Sequence, residues 1–354
     1  MTVAGAVFLF AWSGIYNVAA SSGHWAVVDW FLAFGMRNSV ALRARAIAVP
    51  PLDDIERVRL GAGHFHSGCA FCHGTPDTGV GPIARQMLPS PPELSKSVRT
   101  WSDAQLFWIV QNGIKYTGMP GWAALERTDE IWAVVAFLKK LPTLDGESYR
   151  ALALGRVRLA EQSGERMATN DSNLQAAGAC ARCHGAGSSG PTSALVPVLH
   201  GQSRAYMVAA LRAYAQGTRR SGIMQPLAAD LDKESIERLA TYYAGLSPTE
   251  PAHGSPSGAD AHGRILATKG DPKRDIPACD TCHGRDRLPR YPRLAGQSAA
   301  FLAGQLRLWA AGHHTSTPGA ALMAPIARRM SEADIDAVAA YFSGLSRLPA
   351  GGAP

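Results

Sequence analysis

Three five-residue segments of this chain share one pattern, C-x-x-C-H: Cys69-Ala-Phe-Cys72-His73, Cys180-Ala-Arg-Cys183-His184 and Cys279-Asp-Thr-Cys282-His283. Together they use all 6 cysteines. Two thiols at this spacing can form thioethers with the two vinyl groups of one haem, and the adjoining imidazole then lies where it can ligate the iron. A zinc knuckle would need a second pair of ligands beside each first one, and none accompanies any of the motifs. Disulfides would use the thiols but give no role to a histidine after every pair. The spacing therefore predicts three covalently bound haem c groups.

Positioning three such groups takes a scaffold, and 354 residues are enough for three domains. The segments around the second and third motifs form an internal repeat: Cys180 to Cys279, Met224 to Met323 and Tyr242 to Tyr341 are each 99 positions apart. Pro197-Val-Leu-His-Gly-Gln-Ser203 matches Pro292-Arg-Leu-Ala-Gly-Gln-Ser298. A helix is predicted after each, over 204–216 and 299–311, with Ser203 and Ser298 as N-caps. Each repeat closes on another helical pattern, over 233–245 and 332–344, with acidic residues in the first turn and a terminal glycine. So long a period, with a complete motif in each unit, indicates duplicated domains and not a solenoid.

The first segment is a cousin of these repeats. Helices are predicted over 52–67, 103–112 and 129–140, with Ser102 and Thr128 placed to cap the last two. Linkers are expected over 141–148 and 247–258, where turn-forming residues gather. Period-two alternation is scarce, so the predicted fold is all-α. It comprises an N-terminal membrane helix and interfacial segment at 1–48, then domains at 49–144, 145–250 and 251–354.

The membrane helix is read from the first 28 residues, which contain no Asp, Glu, Lys or Arg. Residues 3–20 are an almost unbroken apolar run, near the lower length limit for spanning a bilayer. Trp12, Tyr16, Trp25 and Trp30 are available as interfacial aromatics. A second run, 25–36, carries Asp29 and is too short to span, so it is expected at the membrane surface or as an extension of a tilted helix. The rival is a cleavable leader, since Val18-Ala19-Ala20 resembles a cleavage site, but no basic residue precedes the run. Arg37, Arg43 and Arg45 run against the positive-inside rule if the haem-binding segments are exported. The formal charge of +7 does not point to nucleic acid: the sequence holds no Lys/Arg run, and haem propionates would largely offset the excess.

Over residues 52–347 the chain resembles the class I cytochromes c. The resemblance rests on the C-x-x-C-H motifs, the paired P-x-L-x-G-Q segments and Asn112-Gly-Ile-Lys-Tyr-Thr-Gly-Met119-Pro-Gly-Trp122. The second and third segments are similar to the tandem domains of diheme class I cytochromes, and the first to cytochrome domains of membrane-bound respiratory subunits. The resemblance implies three tandem class I domains with His73, His184 and His283 as axial ligands. It implies methionine in a loop on the opposite face: Met119, Met224 and Met323, which lie 46, 40 and 40 residues after their histidines. It also implies a proline carbonyl holding the other imidazole nitrogen, and Pro82, Pro197 and Pro292 occupy the comparable positions.

Other sulfurs and imidazoles receive plainer expectations. Met87, Met167, Met207 and Met330 are read as core fillers. His64 and His66 are placed near the edge of the first haem, while His200, His313 and His314 occur in one repeat only. His24 and His253 are expected to face solvent or an interface.

With methionine opposite histidine, no iron is left open to substrate. The expected function is a membrane-anchored triheme relay of single electrons in a periplasmic respiratory chain, at the bacterial inner membrane with its haem domains facing the periplasm. It would be an electron-transfer subunit and not an enzyme, and its partners would be a periplasmic dehydrogenase, a terminal oxidase or a small cytochrome. The alternative is a multihaem peroxidase or reductase, which would need one displaceable axial ligand and an acid or base beside it.

Overall fold

A computed structural model describes residues 2–155, 172–247, 261–284, 288–313 and 319–345. Among these the chain is helical, and its extended pairing is one isolated bridge between Asp271 and Ile276. At the N-terminus a single long helix does not form. Helix α1 (Val3–Ser13) stops at Gly14, whose φ of 67° is left-handed, and α2 (Ala26–Ala44) begins only after a 3-10 turn at Ala20–Ser22. At 1.5 Å per residue α1 rises roughly 16 Å, about half of a hydrocarbon core. No helix among the described residues is long and apolar enough to cross a membrane. The membrane-spanning helix expected over 3–20 is therefore replaced by the shorter α1, which stops where Gly14 admits a turn, and by chain that coils again only at Ala20–Ser22.

The run expected to lie separately at 25–36 is the front of α2, which continues to Ala44. Val40 and Ala44 are its buried residues, and the helix packs on α4 (Asp103–Asn112). The Arg37 guanidinium lies over the Trp101 ring at 5.0 Å. Upstream, Phe8, Trp12, Trp25, Trp30, Phe31 and Phe34 remain exposed.

The first unit is built on α3 (Ile55–Gly68), α4 and α5 (Thr128–Lys140), each within three residues of its predicted span. Ser102 caps α4 through a reciprocal capping box with Gln105. Thr128 is the first helical residue of α5, not its cap; Arg127 holds the cap position. Helices α3 and α5 cross at Gly61, where a Cβ would collide with the Ala133 carbonyl. Their backbones touch, and Phe65, Ile131, Val135 and Phe137 close around the crossing. The 141–148 stretch is not a loose linker. Leu141 is buried within the turn Leu141–Thr143, and α6 (Gly146–Leu154) lays Tyr149 and Ala153 into the same core.

The second unit comprises α7 (Ser172–His184), α8 (Arg204–Ala215), α9 (Met224–Ala229) and α10 (Lys233–Gly245). The third repeats it with α11 (Ala261–Lys269), α12 (Ala299–Ala310), α13 (Ala320–Arg328) and α14 (Glu332–Gly344). Helices α10 and α14 cover their predicted residues, while α8 and α12 end one residue early. Ser203 caps α8 by accepting the Tyr206 N–H; Ser298 holds the same place on α12 without a side-chain bond. Gly263 of α11 meets the Ala337 carbonyl of α14 as Gly61 meets that of Ala133. Met207, Ile236 and Tyr243 centre one core, and Leu266, Leu302, Ile335 and Phe342 the other. Met207 is buried and Met330 packs against the third core, as expected of fillers. Residues 248–258 of the second expected linker, Met167, His253 and His314 lie outside the described residues.

Candidate functional site

Each C-x-x-C-H motif occupies one helical turn. After α3 comes the turn Ala70–His73, with the His73 N–H donating to the Cys69 carbonyl at 2.9 Å. The second motif closes α7. In the third, the turn Asp280–His283 repeats the first, His283 N–H reaching the Cys279 carbonyl at 2.9 Å. Positions i, i+3 and i+4 of a turn share one face, so both sulfurs and the imidazole are presented together. Glycine comes after each histidine, and Gly74 and Gly185 take φ of 72° and 73°, which folds the chain back at a cost a side chain would raise.

None of the six cysteines is joined to another in a disulfide. Burial pushes Cys69 up to about 12 and Cys180 and Cys279 up to about 11. Among the described residues no three His, Cys, Asp or Glu side chains converge as a metal site.

The three motif histidines are anchored alike. Nδ1 of His73 lies 2.9 Å from the Pro92 carbonyl, Nδ1 of His184 2.9 Å from that of Pro197, and Nδ1 of His283 3.0 Å from that of Pro292. A carbonyl only accepts, so Nδ1 carries the proton and the Nε2 lone pair is left for a metal. Burial holds His73 and His184 below the usual imidazole range, favouring that neutral form. Pro197 and Pro292 are the expected acceptors. In the first unit the acceptor is Pro92 and not Pro82, which instead opens the short helix Pro82–Arg85, where its missing N–H is no loss.

The three methionines sit in different surroundings, each half-buried. Met119 lies in a tight loop: Thr117 Oγ1 accepts its N–H at 3.0 Å and its carbonyl accepts the Ile114 N–H at 3.1 Å. Met224 opens α9 and Met323 lies within α13, so the loops expected around them are short helices. Met87, expected as a filler, packs its Cε against Gly118, beside Met119. The His64 ring lies 4.5 Å from that of Trp122 at a 59° tilt, and burial holds it down to about 4. His66 bonds the Tyr149 hydroxyl at 2.9 Å, His24 bonds that of Tyr16 at 2.7 Å, and His200 is buried beside Tyr243.

Two junctions that sequence reading missed bring these units together. Between the first and second, the buried Glu130 carboxylate accepts from Ser221 Oγ at 2.6 Å, Gly222 N–H at 2.7 Å and Trp122 Nε1 at 3.2 Å. It also pairs with Arg127 at 2.9 Å. Burial pulls its pKa up, and the neighbouring guanidinium draws it back. Arg127 further bonds Asp129 and the Arg220 carbonyl, each at 2.9 Å. Ser221 Oγ accepts the Met224 N–H at 3.0 Å, and Gly222 lies so close under Trp122 that a Cβ would strike the indole.

Between the second and third units the contact is neutral and reciprocal. Val198 N–H donates to Gln297 Oε1 at 2.9 Å, and Gln297 Nε2 returns a bond to the Val198 carbonyl at 2.8 Å. Arg293 N–H donates to Gln202 Oε1 at 2.8 Å, and Gln202 Nε2 reaches the Arg293 carbonyl at 3.1 Å. Each glutamine is 5% exposed. Arg219 bridges Tyr206 and Gln305 across the same junction, and its Nε–H lacks an acceptor among the described residues. The glutamine pair was signalled by its matched place in the P-x-L-x-G-Q segments; Glu130 gave no sign beyond an acidic first turn.

A family profile described as cytochrome C oxidase, cbb3-type, subunit III matches residues 56–138 and 168–242. The chain is 37% identical over 177 residues to a thiosulfate dehydrogenase electron acceptor of Thiomonas intermedia, a match covering 49% of this chain and 81% of that one. It is 32% identical to a cytochrome c4 of Thiocapsa roseopersicina, over 54% of this chain and 99% of its relative. A solved cytochrome c4 of Acidithiobacillus ferrooxidans, 34% identical, covers 47% of this chain and 98% of its own with a TM-score of 0.43. These relatives are electron carriers, and their kind binds haem c covalently. The chain belongs to the class I c-type cytochromes.

Proposed function

We propose that this electron-transfer cytochrome is a triheme relay, with haem c attached at Cys69/Cys72, Cys180/Cys183 and Cys279/Cys282. His73, His184 and His283 would be the axial ligands, and Met119, Met224 and Met323 would cap the opposite faces. The observation that carries this reading is the threefold recurrence of one device: a motif histidine whose Nδ1–H is held by a proline carbonyl. A haem would bring propionates, and the acceptor-less Arg219 Nε–H is a buried donor suited to one. Bound haem supplies one-electron redox chemistry with no bond made to substrate. The chain's own part is to orient each imidazole, keep it neutral and hold the units in fixed contact. The domains are proposed at 49–144, 145–250 and 251–354, with α6 reaching back into the first core.

Partner and place come from the same reasoning. One relative is a thiosulfate dehydrogenase electron acceptor, so a dehydrogenase of that kind is the proposed donor, with a terminal oxidase or a smaller cytochrome next in line. The apolar side chains left exposed on α1 and α2 support attachment to the inner membrane, with the haem units in the periplasm. Two helices too short or too charged to span suggest seating in one leaflet instead of a crossing.

Mass spectrometry of the chain purified from an exporting host tests the count. Three added haem masses are expected, and fewer would overturn the triheme reading. Carbon monoxide binding to the native reduced protein would favour the multihaem enzyme instead.

A further inference from the structure

The amides of Gln202 and Gln297 do more than join two units. The Pro197 carbonyl that accepts His184 Nδ1–H and the Val198 N–H that donates to Gln297 belong to one peptide group. Likewise the Pro292 carbonyl that accepts His283 Nδ1–H shares its peptide with the Arg293 N–H that donates to Gln202. Each histidine is therefore continued, through one polarisable peptide, to a side chain of the other unit. Hydrogen bonds in series strengthen one another, most of all where water is excluded, and both glutamines are buried.

We propose that Gln202 and Gln297 are positioning residues that tune the axial histidine of the opposite unit, so that each unit carries part of the control of its neighbour's potential. This rests on His184 and His283 being axial ligands. An acceptor on the N–H side of a peptide makes its carbonyl oxygen more negative. That oxygen then draws the Nδ1 proton harder, the imidazole becomes a stronger donor, and the oxidised metal is favoured. Gln297 thus lowers the potential at His184, and Gln202 lowers that at His283.

The test is a redox titration of the full, haem-loaded chain with its midpoints resolved. Met224→His first identifies the midpoint of the second unit by lowering it. Gln297→Met, which keeps the length but removes the acceptor, is then expected to raise that midpoint. The expected change is about threefold in the oxidised-to-reduced ratio, or about 28 mV at 59 mV per decade. Gln297→Glu keeps an acceptor facing Val198 and is expected to move the same midpoint the other way, which a merely structural role would not do. Gln202→Met should raise the third unit's midpoint instead. If Met224→His shifts a midpoint while Gln297→Met shifts none, or only that of its own unit, the inference is overturned and the ligand reading stands. If Met224→His shifts nothing, Met224 is not the axial ligand and that reading fails, while a midpoint raised by Gln297→Met and lowered by Gln297→Glu still decides the inference at His184. Should Gln297→Met not load haem, the opposite-sign prediction for Gln297→Glu and the Gln202→Met result decide alone.

Discussion

The two junctions of this molecule solve one problem with different chemistry. Where the first unit meets the second, a buried carboxylate collects three donors and a guanidinium from both sides. Where the second meets the third, two neutral amides exchange places across an approximate twofold. Ancestry explains the contrast. Duplicated units carry the same residue at the same place, so a contact made by one is returned by the other, as in an isologous dimer. The first unit is only a cousin and offers no matching partner, so its junction is lopsided and centres on one buried ion pair, Glu130 with Arg127.

That difference sets the sizes of the effects that would break each junction. Glu130→Ala leaves the buried Arg127 guanidinium with Asp129 alone and strands the Ser221, Gly222 and Trp122 donors, and should cost about 3–5 kcal/mol. Urea unfolding followed by the fluorescence of Trp122, a direct Glu130 partner, would show it; a loss near zero would mean the junction is a surface contact. Gln297→Met strands one N–H and one carbonyl of Val198 and should cost about 1–3 kcal/mol. Because Glu130 and Gln297 bond to different residues, the double variant should lose close to the sum. A large departure in that denaturation series would show the junctions to be coupled.

The smallest effect is one of pH, and it falls outside both junctions. Asp334 is held well below the usual carboxylate range, chiefly by Arg274 and then by Ser331 and His262. A depressed folded value means that its stabilisation is present above the unfolded value of 3.8 and is lost as pH falls below it. Glu130 has the opposite sign: its folded value lies above the unfolded 4.5, so protonation there favours the folded state. Hydrogen exchange resolved by unit, followed from pH 7 downward, should find acid lability in the third unit before the first junction. The reverse order would contradict both assignments.

How far the sequence could be read depended on how local the cause was. Helices α4, α10 and α14 were placed by caps and periodicity alone, because those signals act within a few residues. The histidine anchors of the repeats were found through the matched Pro197 and Pro292, but Pro92 was missed because a better-spaced proline at 82 fits a helix start. The N-terminal run read as one span since composition ignores a single left-handed glycine at 14. Leu141 looked like a linker residue because its burial comes from α3 and α5, which pack around it in one core. Glu130 and Ser221 are 91 residues apart, and no pattern in either segment announces the other.

Gly222 has a consequence for how this chain can vary. Its missing side chain is what lets the Trp122 indole settle onto the backbone, so even a methyl there would act as a wedge hammered into a seam. Such a variant should come apart at the hinge line with each half still folded, giving a carrier whose wiring is interrupted although every cofactor remains in its socket.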